Sequence, residues 1–105
     1  MAEVVTEIDE LRHRIDVIDD QLVRLLNVRV ACAVEVGRLK HEAGLPIYQP
    51  EREAQVLSKV RQSATELSGP LTAEAVVRIF ERVIDEARRA ERVASERREN
   101  LEAGE

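Results

Sequence analysis

The sequence predicts an all-α protein of three helices, and three observations carry that reading. The apolar residues are almost wholly aliphatic, with 14 Val, 12 Ala, 10 Leu and 6 Ile against Tyr48 and Phe80 as the only aromatics. From Thr6 to Leu45 there is no proline, and apolar residues recur at intervals of three and four, the period of one helix face. Turn signals then fall at only two places, Gly44-Leu45-Pro46 and Ser68-Gly69-Pro70, which divides the 105 residues into three stretches. That length suits one domain.

The first helix is predicted over residues 6–43. Ile8, Leu11, Ile15, Ile18, Leu22 and Leu25 form a coiled-coil-like seam, continued at the same spacing by Arg29, Cys32, Val36 and Leu39. Gly44 and Pro46 end it, because Gly accepts the left-handed position after a helix and Pro disfavours helix in the residue before it. A helix of that span is about 55 Å long, whereas a compact chain of this size has a radius of gyration near 13 Å. Part of the seam would overhang, so an intertwined helical-bundle homodimer with antiparallel long helices is expected.

The second helix is expected from Pro50, with acids in its first turn and Val56, Leu57 and Val60 on one face, to near Ala64. Thr72 is suited to cap a third, whose apolar stripe is Val76, Ile79, Phe80, Val83, Ile84 and Ala87 and continues to Ala90 and Ala94. The polar run beyond Val93 reads as a frayed tail, so the expected organisation is a helical domain over 1–93 and a tail over 94–105.

Several functions are disfavoured by composition. A net charge of −5 and the lack of aromatic platforms argue against nucleic acid as a partner. Cys32 stands alone, so neither an intrachain disulfide nor a cysteine-based zinc site is expected, and it reads as a small core residue on the seam. His13 and His41 read as surface residues without catalytic or metal partners. No phosphate-binding glycine loop, HExxH pair or GxSxG elbow occurs, so no metal and no cofactor is expected. No stretch approaches the roughly 18 apolar residues of a membrane span, and the first residues lack a basic region followed by an apolar one. A soluble, cytoplasmic protein without membrane contact is expected.

The informative residues are ionisable groups on apolar faces, where burial of charge needs a compensating reason. Arg29 interrupts the seam, and Lys40 lies eleven positions on, near three full turns, about 16 Å along nearly the same face. Two readings are open: both cations converge on a small anion, or Arg29 pairs with a carboxylate across a dimer while Lys40 snorkels. Glu91 continues the stripe of Phe80, Ile84 and Ala87, where desolvation raises a carboxyl pKa, unless the side chain swings to solvent. Glu53, next to Arg52, is either a site residue or an acid stabilised at the helix start. Arg12 lies about 25 Å from Arg29 along one helix, so only an antiparallel partner could bring the two together.

Leu11-Arg12-x-x-Ile15-Asp16-x-x-Asp19, Leu25-Leu26-x-x-Arg29, Val34-Glu35-Val36-Gly37-x-x-Lys40 and Pro50-x-Arg52-Glu53, taken in order, resemble the all-helical chorismate mutase family over about residues 7–93. The resemblance implies an intertwined dimer of three-helix chains that converts chorismate to prephenate, the committed step toward phenylalanine and tyrosine. It implies that Arg29 and the partner subunit's Arg12 bind the two carboxylates of chorismate. Lys40 would contact a carboxylate and the ether oxygen, Glu53 would accept from the ring hydroxyl, and Arg52 would support that wall. Glu91 matches the position that donates to the ether oxygen. The chain departs from the family pattern at Gln49, where many members have Asp, at Ala87, where Ser is frequent, and at Glu91, where bacterial members commonly have Gln. All three positions belong to the implied substrate-binding set.

Such a reaction is a unimolecular rearrangement, for which a protein supplies a shape-selecting pocket and positive charge or donors at the oxygen that gains charge. Lys40, Glu91 and Arg29 are therefore the expected catalytic residues. Two alternatives stand beside this one. An isochorismate pyruvate lyase resembles the family in fold and basic residues, although Pro50-Glu51-Arg52-Glu53 fits the mutases better. A non-catalytic helical dimerisation or regulatory module accounts for the seam but not for Arg29 and Glu91.

Overall fold

The computed structural model describes residues 1–104 and contains three α-helices and no strand among them: α1 (Ala2–Ala43), α2 (Pro50–Leu67) and α3 (Ala73–Ala103). The three-helix, all-α expectation holds. By its internal packing the chain divides into a first unit, Met1–Ala31, and a second from Cys32 onward.

The first unit is helical from Ala2 to its end. Its start lies four residues earlier than predicted, since Ala2, Glu3 and the valines extend the helix and Thr6 Oγ1 donates to the Ala2 carbonyl at 3.0 Å. Its seam stays in water: Ile8, Leu11, Ile15, Ile18, Leu22 and Leu25 are between 41% and 65% exposed.

The second unit holds the last turns of α1 with α2 and α3. The left-handed Gly44 (φ 68°) closes α1 by letting its own N–H donate to the His41 carbonyl at 3.2 Å and the Leu45 N–H to the Lys40 carbonyl at 2.9 Å. Pro50 opens α2, whose first-turn amides from Arg52 and Glu53 donate to the Gln49 carbonyl. That helix outlasts the prediction by one turn and ends at Ser68, which takes the left-handed conformation and donates to the Ala64 carbonyl. Thr72 caps α3 as predicted, its side chain accepting from the Ala75 N–H at 3.1 Å.

Antiparallel packing of α2 on α3 buries Ala64 and Ala87 and half-buries Val56, Leu57, Val60, Val76, Phe80, Val83 and Ile84. Arg61 pairs with Glu74 at 3.1 Å near the connecting loop, while Arg88 pairs with Glu53 at the other end. No large side chain is fully buried among the described residues.

Two expectations are corrected here. Where a polar tail is expected over 94–105, α3 continues as far as Ala103, because Ala, Glu, Arg and Leu are strong helix formers and need no apolar face to continue a helix already nucleated; Glu105 lies outside the described residues. Cys32, expected as a core residue, is exposed together with much of the seam it belongs to. No helix among the described residues is long and apolar enough to cross a membrane.

Candidate active site

Four charged side chains of the second unit come together from all three of its helical segments. Lys40 stands in the last turn of α1, half-buried, its own carbonyl held by the Gly44 closure. One turn earlier on the same helix, Gly37 leaves room for Glu91 of α3. A Cβ on Gly37 would lie 3.7 Å from Glu91 Cγ and 3.8 Å from its Cδ and Oε2. The Glu91 carboxyl therefore rests against bare backbone of α1.

That placement has an electrostatic consequence. Desolvation pushes the Glu91 pKa above the usual carboxylate value, and the Glu53 charge adds to the rise, while Lys40 and Arg88 pull it down; burial prevails. The stripe pattern anticipates this direction. A carboxyl with raised proton affinity beside an ammonium group is equipped to donate a hydrogen bond to an oxygen that becomes negative.

Glu53 sits in the first turn of α2, fixed there by Pro50 and by the amide bonds to Gln49, with its side chain 27% exposed. Across the helix pair, Arg88 Nε donates to Glu53 Oε1 at 2.8 Å, and Nη2 of the same guanidinium meets that oxygen as well. Arg88 Nη1 also pairs with Asp85 Oδ1 at 3.3 Å, one turn back on α3. Its hydrogen bond to Glu53 raises the Arg88 pKa further.

With Glu91 ionised these four groups are electrically neutral, and with Glu91 protonated they carry one positive charge. An anion bound there would favour proton uptake by Glu91.

The remaining predicted residues are distributed as follows. Ala87 is buried one turn before Glu91, presenting a methyl group without a hydrogen-bonding atom. Gln49 and Arg52 are exposed at the start of α2. Arg12 and Arg29 belong to the first unit, Arg12 exposed and Arg29 half-buried. No group of His, Cys, Asp or Glu among the described residues could hold a metal ion.

Sequence reading missed Arg88, whose partner Glu53 is 35 residues away, so that no local spacing announces the pair. A signal did exist: Arg88 follows Ile84 by four and precedes Glu91 by three, which places it on the same stripe.

Comparison with known proteins bears on this site. Residues 11–92 match the family described as chorismate mutase type II. A bifunctional chorismate mutase/prephenate dehydratase of Aquifex aeolicus is 40% identical over 79 residues, covering 74% of this chain and 22% of the relative. A chorismate mutase of Methanocaldococcus jannaschii is 32% identical over 63 residues, covering 60% of this chain and 64% of the relative. Among solved structures, that of chorismate mutase (form II) from Thermus thermophilus superimposes with a TM-score of 0.75 at 31% identity, covering 82% of this chain and 94% of that one. The chain thus spans about a fifth of the length of its bifunctional relative.

Proposed function

This chain belongs to the chorismate mutase type II family, and on that premise we propose that it isomerises chorismate to prephenate. The observation that carries this reading is the packing of half-buried Glu91 of α3 on Gly37 of α1, one turn before Lys40. In this rearrangement the ether C–O bond breaks as a C–C bond forms, and negative charge grows on the ether oxygen. The Lys40 ammonium and the protonated Glu91 carboxyl stabilise that charge more than they stabilise the ground state, which is the condition for raising the rate. Neither group forms a covalent bond to the substrate.

The anionic ends of the substrate need cations of matching shape. Arg29 and the partner subunit's Arg12 bind its two carboxylates, with guanidinium forks suited to bidentate contact. Glu53 accepts from the ring hydroxyl, Arg52 supports that side, and Gln49 and Ala87 complete the wall.

A homodimer is part of the proposal. Each seam residue from Ile8 to Leu25 keeps about half its surface in water, and covering the rest returns about 1 kcal/mol apiece. A second copy presents the same seam, so two-fold pairing covers both at once.

The direct test is to incubate the purified protein with chorismate and follow loss of the diene absorbance and appearance of prephenate. No turnover would overturn the reading, and pyruvate release from isochorismate in its place would assign a lyase. Light scattering across a dilution series should give twice the 11.9 kDa chain mass. A folded species at the chain mass would sink the dimer.

A further inference from the structure

We propose that Arg88 is a positioning residue for Glu53: from α3 its guanidinium holds one oxygen of the α2 carboxylate, so that the other is presented to the ring hydroxyl of the substrate. The inference rests on the mutase reading and adds a residue to it.

The geometry is specific. Both Nε and Nη2 of Arg88 engage the same atom, Glu53 Oε1, with Nε at 2.8 Å. A guanidinium meeting a carboxylate edge to edge would engage both oxygens. Here Oε2 is left for another donor. The fork is itself oriented, because Nη1 is turned toward Asp85 Oδ1 at 3.3 Å on its own helix. The chain Asp85–Arg88–Glu53 therefore runs from α3 to α2 and fixes the rotation of a side chain that has three freely turning bonds. Without Arg88, no hydrogen bond from α3 would hold Glu53, and its side chain would be free to turn toward solvent. Ala87, one turn before Glu91 on α3, has no hydrogen-bonding side chain, so alignment of the substrate depends the more on Glu53.

The pair could instead be an ordinary clasp between helices. A double-mutant cycle separates the two. Arg88→Met keeps the length and apolar stem of the side chain and removes its donors; kcat/KM for chorismate should fall between about 10- and 100-fold, the scale set by a misplaced contact. Glu53→Ala should cost at least as much. The double variant should be no worse than Glu53→Ala alone, since Arg88 has nothing left to position, and the three proteins should keep the helicity of the parent. Arg88→Lys retains the charge but only a single donor centre; it should recover part of the activity lost in Arg88→Met, and it replaces that variant in the cycle if Met at this position prevents folding.

Losses that multiply undiminished in the double variant would overturn the assignment while leaving the mutase reading intact. Arg88→Lys as poor as Arg88→Met would do the same. A parent protein that does not turn over chorismate overturns the reading and the assignment with it, and that is seen before any variant is made.

Discussion

Replacing Gly37 by alanine should make the protein more stable without impairing the site. Glycine inside a helix is about 0.8–1.0 kcal/mol less favourable than alanine, because its unfolded chain has more freedom to lose. A substitution recovers that difference only if the new methyl group has space. At Gly37 it does: the nearest atoms are Glu91 Cγ at 3.7 Å and Cδ and Oε2 at 3.8 Å, ordinary contact distances. The gain of nearly 1 kcal/mol per chain corresponds to a rise in Tm of about 4 to 8 °C. Thermal unfolding followed by circular dichroism, alongside kcat/KM for chorismate, measures both halves of the expectation. Gly37→Val sets the limit, because a γ-methyl group turned toward α3 closes on the Glu91 carboxyl, which has little room to spare beyond the Cβ contact, and must displace it. That variant should stay folded and lose at least about tenfold in kcat/KM. A lower Tm for Gly37→Ala, or full activity for a folded Gly37→Val, would refute the packing of Glu91 on α1.

Glu91 is predicted to act as the protonated acid, so kcat/KM should fall as pH rises through its raised pKa, and Glu91→Gln, a donor that does not titrate, should flatten the profile; superimposable profiles would contradict this. Arg29→Ala should cut kcat/KM by about 100-fold or more while folding survives. Arg12→Ala and Arg29→Ala, each nearly inactive alone, should regain activity when unfolded and refolded together, because one mixed site then has both arginines; heterodimers confirmed by mass yet inactive would exclude a shared site. Gly44→Ala should destabilise the protein by about 1 to 2 kcal/mol, read from urea titration, because a Cβ is strained at φ 68° and the closure over Lys40 depends on that angle.

How far the sequence can be read follows the range of each interaction. Helix stops and caps are local, and Gly44, Pro50 and Thr72 act where their neighbours predict. Glu91 is legible because a stripe three and four residues apart reports which face of a helix is apolar. The end of α3 continues past the apolar stripe because strong helix formers, Ala, Glu, Arg and Leu, outnumber Ser95 and Asn100 there, a preference that hydrophobic patterning does not report. Arg88 escapes notice for a different reason. Its place on the stripe is a local signal, but its partner is set by α2 lying across α3, which spacing within one helix does not report. Gly37 likewise looks like a weak breaker, and its relation to Glu91 exists only once two helices meet.

The scarcity of interior in one chain also bears on how much of the protein must be present for it to work. Only Ala64 and Ala87 are buried among the described residues, and neither is large. When a second copy supplies the missing cover, folding becomes a second-order event, and the folded fraction depends on total concentration as well as on temperature. Specific activity would then decline on dilution, Tm would climb with protein concentration, and a modest fall in synthesis would remove more than its proportional share of function. Dosage, for such a chain, is a structural variable.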